Sequence, residues 1–263
     1  MTARLYLAMV IALSTSLIFS STRILGAETP TVRDTPAPKT MLFVGDSFIY
    51  YNQSLQKHTR KLVQSIYPQD AKRFFFKSIT VSEGYLSDHL ISAHGMIKGY
   101  RRKKMRRPWE VVVLQGEGGE PIDEKISGQF QASARQLDKW IREAGSKTVL
   151  LMTWAYKDKP EMAQPLADAY TRMGNELNAL VVPVGLAFDM ARSENPEMEL
   201  YDRDAQHPSL LGSYLAANVF FATLYGRSPV GAPYRAELSE REAAFAQHIA
   251  WKTVQTYFGR ENY

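Results

Sequence analysis

The sequence contains no cysteine. This absence excludes a domain held by disulfides, thiolate zinc and iron–sulfur sites, and a cysteine hydrolase, because each of these needs a sulfur atom. The sequence also has no glycine-rich phosphate loop, so we expect no nucleotide cofactor. We expect no other cofactor either. What is present is a chain of 263 residues with the apolar content of a globular protein. Its net charge of +5 permits an anionic partner without requiring one.

The first 27 residues have the organisation of a secretory signal peptide. A short basic stretch precedes an apolar run at residues 5–21, and the small pair Gly26-Ala27 provides a cleavage site. The run is shorter than the roughly 20 residues that a membrane-spanning helix needs. We therefore expect an exported protein, periplasmic or secreted, with an uncleaved amino-terminal anchor as the alternative. Cleavage after Ala27 would remove two arginines and lower the net charge from +5 to +3.

The remaining sequence predicts a leader and one domain. Residues 28–39 contain three prolines and no apolar periodicity, which is typical of a flexible leader, and the domain occupies residues 40–263. Within it, short apolar runs predict strands at 41–44, 74–81, 111–115, 148–155 and 180–184. Helical patterns lie between and after them, at 54–67, 85–100, 126–144, 160–178, 209–225 and 240–257. This alternation predicts an α/β fold, a three-layer α/β/α sandwich around a five-stranded parallel sheet.

Active sites of such sheets lie beyond the carboxyl ends of the strands. The first predicted strand runs directly into Gly45-Asp46-Ser47. Gly45 permits a sharp turn because it has no Cβ, and the turn would leave the Ser47 hydroxyl at the edge of the sheet. Ser47 is therefore a candidate nucleophile, and an ordinary turn after a strand is the alternative.

A candidate base lies near the other end of the chain, in Asp204-Ala205-Gln206-His207-Pro208. A serine hydroxyl needs a base to take its proton, and the base works best when a carboxylate orients it. In a tight turn the Asp204 carboxylate could reach His207 Nδ1 and leave Nε2 facing outward. Pro208 suits the first position of a helix and would hold His207 rigidly there. The alternative is that His207 caps this helix and Asp204 is a solvated loop residue.

Taken together, these two motifs resemble the first and last blocks of the SGNH hydrolase superfamily, also called the GDSL esterases. The similarity continues through residues 212–217. It implies a flavodoxin-like sheet in which Ser47 is the nucleophile, His207 the base and Asp204 the orienting acid. It also implies an oxyanion hole formed by the backbone N–H groups of Ser47 and Gly84, although Gly84 alone could be a turn glycine.

The third block of the family departs from its usual pattern, because Gln115 stands where asparagine is expected. The resemblance to a subgroup with glutamine at this place implies that Gln115 is the third oxyanion donor, with a purely structural role as the alternative. Gln115-Gly116-Glu117 is also similar to a block of carbohydrate acetylesterases. An ionised Glu117 only accepts hydrogen bonds, so it would orient a donor or contact substrate hydroxyls. Trp154 follows the fourth strand and could line a substrate pocket or pack in the core.

We therefore predict an exported serine esterase that removes short acyl groups, specifically acetyl, from a carbohydrate. A lipase or thioesterase, an O-acetyltransferase with the same triad, and a non-catalytic envelope protein are the alternatives. The basic run at residues 98–107 is interpreted as a solvated surface, or else as a contact for an anionic glycan or membrane, and not as a nucleic-acid site. His89 and His94 are five residues apart and lack the spacing of paired ligands on a helix, so no metal site is predicted.

Overall fold

The computed structural model describes residues 28–99 and 109–260. The proposed signal peptide and most of the basic run at 98–107 lie outside these residues. In the described part, five strands form one parallel sheet in the order β2-β1-β3-β4-β5. The strands are β1 (Thr40–Gly45), β2 (Phe75–Thr80), β3 (Val111–Leu114), β4 (Lys147–Leu151) and β5 (Leu180–Val182). The predicted α/β class and five-stranded parallel sheet are therefore confirmed.

Eight α-helices cover the two faces of the sheet in the described residues. They are α1 (Ser47–Tyr50), α2 (Leu55–Ile66), α3 (Leu90–Gly99), α4 (Ser127–Glu143), α5 (Ala163–Leu177), α6 (Val184–Glu194), α7 (Leu210–Tyr225) and α8 (Glu240–Tyr257). Alternate side chains of each strand point to opposite faces, so Met41 and Phe43 join the core with α2, α6, α7 and α8. Leu42 and Val44 join the second core, with α3, α4 and α5. This is the three-layer sandwich that the sequence predicts.

Helix α7 is buried along nearly its whole length. Every residue from Leu211 to Tyr225 is buried, because α7 lies against α2, α6 and α8. A helix that is apolar on all sides needs such surroundings. Since α7 begins shortly after His207, this buried helix gives the candidate base a rigid support.

Two parts of the chain differ from the sequence prediction. The fifth strand ends at Val182, and residues Val184–Glu194 form a helix that the prediction missed. Residues 28–39 form no helix, and they lie against the domain instead of extending freely from it. Thr31 N–H donates to Asn175 Oδ1 at 2.8 Å, Ala37 N–H to Leu224 O at 2.8 Å, and Tyr225 Oη to Pro38 O at 2.6 Å. These contacts place the leader at the end of the sheet opposite the strands' carboxyl ends; its flexibility stays a prediction.

Within the described residues, no helix is both long and apolar enough to cross a membrane.

Candidate active site

The candidate nucleophile sits at the start of a short helix directly after β1. Asp46 caps α1, and its Oδ1 accepts a hydrogen bond from Phe48 N–H at 2.8 Å. Ser47 is the first residue of this helix and is 5% exposed. Its N–H has no hydrogen-bond partner among residues 28–99 and 109–260, as expected at the first turn of a helix. The turn therefore provides a hydroxyl and a free N–H at the same residue.

Gln115 holds this turn in place by binding Asp46 from both sides. Asp46 N–H donates to Gln115 Oε1 at 2.9 Å, and Gln115 Nε2 donates to Asp46 Oδ1 at 2.8 Å. The second Nε2 hydrogen is directed to Gly116 O at 2.5 Å. Gly45 is required for this approach, because an added Cβ would lie 2.2 Å from Gln115 Oε1.

This arrangement differs from the one expected if Gln115 were an oxyanion donor. The side chain is fully buried, and both of its amide hydrogens are already used. Its place directly after β3, the strand next to β1, makes it a support for the nucleophile turn instead. The structural alternative named for Gln115 is the one that the contacts favour.

Ser47, His207 and Asp204 lie together in one hydrogen-bonded chain. Ser47 Oγ is 2.7 Å from His207 Nε2, and His207 Nδ1 bonds Asp204 Oδ2. Asp204 Oδ1 accepts the backbone N–H groups of Gln206 at 3.0 Å and of His207 at 2.9 Å. Partial burial tends to raise the pKa of Asp204, but these hydrogen bonds outweigh it and hold the pKa below its usual value. Asp204 is thus ionised at neutral pH and can orient the imidazole.

The loop that carries His207 is fixed by backbone contacts. Asp202 N–H donates to His207 O at 2.8 Å, and Tyr201 and Pro208 form an isolated antiparallel bridge. Helix α7 begins only at Leu210, with Ser209 as its cap, and Ser209 Oγ accepts from Gly212 N–H at 3.1 Å. The expectation that Pro208 occupies the first helical position is therefore wrong, because the bridge to Tyr201 holds it in extended backbone.

Gly84 lies in the turn that follows β2, which is the strand beside β1. Its N–H donates to Val81 O at 3.2 Å, and an added Cβ would lie 2.9 Å from Val81 Cβ. This bond uses the N–H within the turn, so donation to an oxyanion would require the bond to be shared or replaced. The role of Gly84 as an oxyanion donor stays a prediction.

A cluster of carboxyl groups lies behind the nucleophile turn. Burial, reinforced by the nearby charges of Glu117 and Glu120, raises the pKa of Asp46 to about 7, although the hydrogen bonds from Phe48 and Gln115 oppose it. Burial likewise raises the pKa of Glu120 to about 7, against hydrogen bonds from Leu86 N–H and Glu117 N–H. Near neutral pH, both groups are therefore balanced between their protonated and ionised forms.

The two candidate substrate contacts, Glu117 and Trp154, lie in different surroundings. Glu117 is partly exposed, accepts from Gly119 N–H at 3.2 Å and lies 3.4 Å from Tyr156 Oη, so it remains available to a substrate. Trp154 is only 1% exposed and stacks between Phe48 and Phe188, with ring centroids 4.5 Å and 4.4 Å away. For Trp154, the contacts therefore favour the alternative of packing in the core over a substrate role.

Trp154 instead supports the catalytic loop. Its Nε1 donates to Gln206 O at 3.0 Å, one residue before His207. The stacked Phe48 ring also meets the edge of the His207 ring, with centroids 5.4 Å apart. Trp154 thus links the core to both the nucleophile turn and the base.

Sequence reasoning missed Tyr51 and Asn52. The Tyr51 ring stacks on the His207 ring with centroids 3.9 Å apart, and Asn52 Nδ2 donates to Pro208 O at 2.5 Å. Their closeness in sequence to Ser47 was the available signal, but the partner loop is about 150 residues away along the chain.

The other histidines and the acidic residues show no metal-binding cluster in the described ranges. His89 is fully buried, and its two ring nitrogens have no hydrogen-bond partner there. Burial lowers the pKa of His89 and keeps the ring neutral. His94 contacts the Trp140 ring edge-on, with centroids 4.6 Å apart.

No family model and no curated protein matches this sequence. Solved structures do match its fold. A DUF4886 family protein from Bacteroides uniformis matches at 18% identity and a TM-score of 0.62, over 83% of this chain and 95% of that one. A protein from Slackia heliotrinireducens, proposed to be an SGNH hydrolase, matches at 20% identity and a TM-score of 0.56, over 70% of this chain and 97% of that one.

A third match is an acetylxylan esterase from Geobacillus stearothermophilus, in a catalytic mutant. It has 14% identity and a TM-score of 0.51, over 77% of this chain and 97% of that one. At such identities the matches support the fold assignment but do not establish the activity. The chain therefore shares its fold with a proposed SGNH hydrolase and with an acetylxylan esterase.

Proposed function

We propose that this protein is a serine ester hydrolase that works through an acyl-enzyme. The observation that carries the proposal is the hydrogen-bonded chain from Ser47 Oγ through His207 to Asp204, with 2.7 Å between Oγ and Nε2. In this chain the nucleophile contacts its base and the base contacts its orienting carboxylate, which is the arrangement that serine acyl transfer needs. The free N–H of Ser47 adds a donor for the developing oxyanion.

The reaction follows from these contacts. Ser47 Oγ attacks the ester carbonyl while His207 Nε2 takes its proton, and Asp204 stabilises the imidazolium through Nδ1. The Ser47 N–H stabilises the tetrahedral oxyanion, and we propose the Gly84 N–H as a second donor. When the intermediate collapses, the ester C–O bond breaks, His207 returns the proton to the leaving alcohol, and an acyl-serine remains. A water molecule deprotonated by His207 then releases the acid and restores Ser47.

We propose acetyl groups on a carbohydrate as the substrate. The acetylxylan esterase with the same fold supports this choice, as does the partly exposed Glu117 beside the site, whose carboxylate can accept hydrogen bonds from sugar hydroxyls. The signal-like segment at residues 1–27 supports export, which would give the enzyme access to extracellular glycans.

The test uses the purified protein with residues 28–263, a fluorophosphonate probe and p-nitrophenyl acetate. The wild type should be labelled and hydrolyse the ester, and Ser47→Ala should lose both. Ser82→Ala is the matched control, because its hydroxyl lies near the site but contacts Tyr50 Oη at 2.6 Å instead of His207. An unlabelled, inactive wild type would contradict the proposal.

The substrate class requires a second assay. Esters of increasing acyl length should show the highest kcat/KM for acetate, and acetylated xylan should release acetate. A preference for long acyl chains or thioesters would favour a lipase or thioesterase. Transfer of acetyl to a sugar hydroxyl in preference to water would indicate an acetyltransferase.

A further inference from the structure

We propose that residues 51–54, the segment between α1 and α2, position the catalytic base, with Tyr51 covering the imidazole of His207 and Asn52 attaching the segment to the base's own loop. The inference rests on the proposed function, because it needs His207 to act as the base. Tyr51 and Asn52 would be positioning residues, since their contacts are to His207 and Pro208.

The Tyr51 ring fixes one face of the imidazole. The two rings are nearly parallel, at 14°, with centroids 3.9 Å apart. Phe48 meets the same imidazole edge-on at 76°, with centroids 5.4 Å apart. With Asp204 bonded to Nδ1, the ring has contacts on a face, at an edge and at one nitrogen, and its Nε2 points to Ser47. Such restraint matters because a displacement of about 1 Å in a catalytic group can cost about 100-fold in rate.

Asn52 connects the segment directly to the base's loop. Its Nδ2 donates to the carbonyl of Pro208, the residue that follows His207, at 2.5 Å. Tyr51 and the backbone beside His207 are therefore held in one unit, although 156 residues separate Asn52 from Pro208.

The backbone of the segment is strained, which indicates that contacts with its surroundings hold it in this conformation. Asn52, Gln53 and Ser54 have φ values of 46°, 70° and 77°, in the left-handed region that residues with side chains rarely adopt. Strain of this kind persists where surrounding contacts impose it, and it occurs often at active sites.

His58 supplies the contact that maintains this backbone. Its Nε2 bonds Asn52 O at 2.5 Å and its Nδ1 bonds Tyr234 Oη at 2.7 Å. The ring is 1% exposed, and a neutral imidazole satisfies both contacts by donating to the carbonyl and accepting from the phenol. Tyr234 O in turn accepts from Tyr214 Oη at 2.7 Å, which anchors the segment to the buried helix α7.

The test compares Tyr51→Ala, Tyr51→Phe and Asn52→Asp with the wild type in p-nitrophenyl acetate hydrolysis. Tyr51→Ala should lower kcat by about 10- to 100-fold with KM changed less than about two-fold, because the base is displaced and the substrate is not contacted. Tyr51→Phe keeps the ring and should retain kcat within about two-fold. Asn52→Asp loses its donor to Pro208 O and should lower kcat by about tenfold. Lys57→Ala, which removes an exposed side chain in the first turn of α2, outside this segment, is the matched control and should leave kcat and KM unchanged.

The outcomes separate this inference from the proposed function. An active wild type with a folded Tyr51→Ala variant of unchanged kcat would overturn the inference alone. So would a Tyr51→Phe variant as slow as Tyr51→Ala, since the ring would then not be the positioning element. An inactive wild type would overturn both. If Tyr51→Ala does not fold, Tyr51→Leu keeps a large apolar side chain without the ring, and the same loss of kcat is expected.

Discussion

Replacing Asp46 by asparagine should make the protein more stable at alkaline pH. Asp46 is 2% exposed, and burial raises its pKa from 3.8 to about 7, so the folded protein resists ionising it. A carboxyl whose folded pKa is raised contributes stability that is fully present below its unfolded pKa and is lost as pH rises through its folded pKa. Between pH 4 and 7 this loss amounts to about 1.4 kcal/mol per pH unit, or about 4 kcal/mol in total. Asparagine removes the charge while its Oδ1 can still accept from Phe48 N–H and Gln115 Nε2.

The assay is urea unfolding of the wild type and Asp46→Asn at each pH unit from 4 to 8. The free energies of unfolding should be similar at pH 4, where the wild-type carboxyl is protonated in the folded state. The variant's advantage should then grow to about 4 kcal/mol at pH 8. Asp70→Asn is a surface control whose effect on the free energy of unfolding should have the opposite sign. The Arg73 guanidinium holds the pKa of Asp70 below its usual value, so removal of this carboxylate should destabilise the protein. A stability difference between wild type and Asp46→Asn that does not change with pH would refute the reasoning.

Three further predictions concern the supports of the site. Gln115→Leu should release the nucleophile turn. It should therefore lower the free energy of unfolding by about 2–4 kcal/mol and kcat by more than tenfold. If Gln115 were an oxyanion donor, its loss would instead lower kcat by about 10²–10³ with little effect on urea unfolding. Trp154→Phe should keep the ring stack but lose the hydrogen bond to Gln206 O. This loss should lower the free energy of unfolding by about 1–3 kcal/mol. Unchanged thermal and urea midpoints would contradict this prediction. Deleting residues 28–39 should lower the free energy of unfolding by about 2–4 kcal/mol, measured in urea, while kcat stays within about two-fold because the leader lies at the far side of the sheet.

The strands and most helices could be predicted because their signals are local. Strands buried on both faces are continuous apolar runs, and the helix Glu240–Tyr257 begins and ends where its pattern predicts. The helix Val184–Glu194 was missed because its first residue continued the apolar run of β5. Its buried residues Val184, Ala187, Phe188 and Ala191 do have helical spacing.

The parts of the site that escaped prediction depend on contacts distant in sequence. The structure brings Ser47, Asp204 and His207 together as the resemblance of their two short motifs to one family implies. The role of Gln115 depends on the pairing of β3 with β1, and that of Trp154 on rings from two other elements. The contacts of the leader could not be predicted, because prolines indicate the absence of regular structure but not the absence of contacts.

The most direct test of the central claim is active-site labelling of the wild type by a fluorophosphonate, with the modified residue located by mass spectrometry. The account predicts one phosphonylated serine, Ser47. His207→Ala should slow labelling by several orders of magnitude, since the base no longer takes the serine's proton. No labelling, or labelling at another serine, would contradict it.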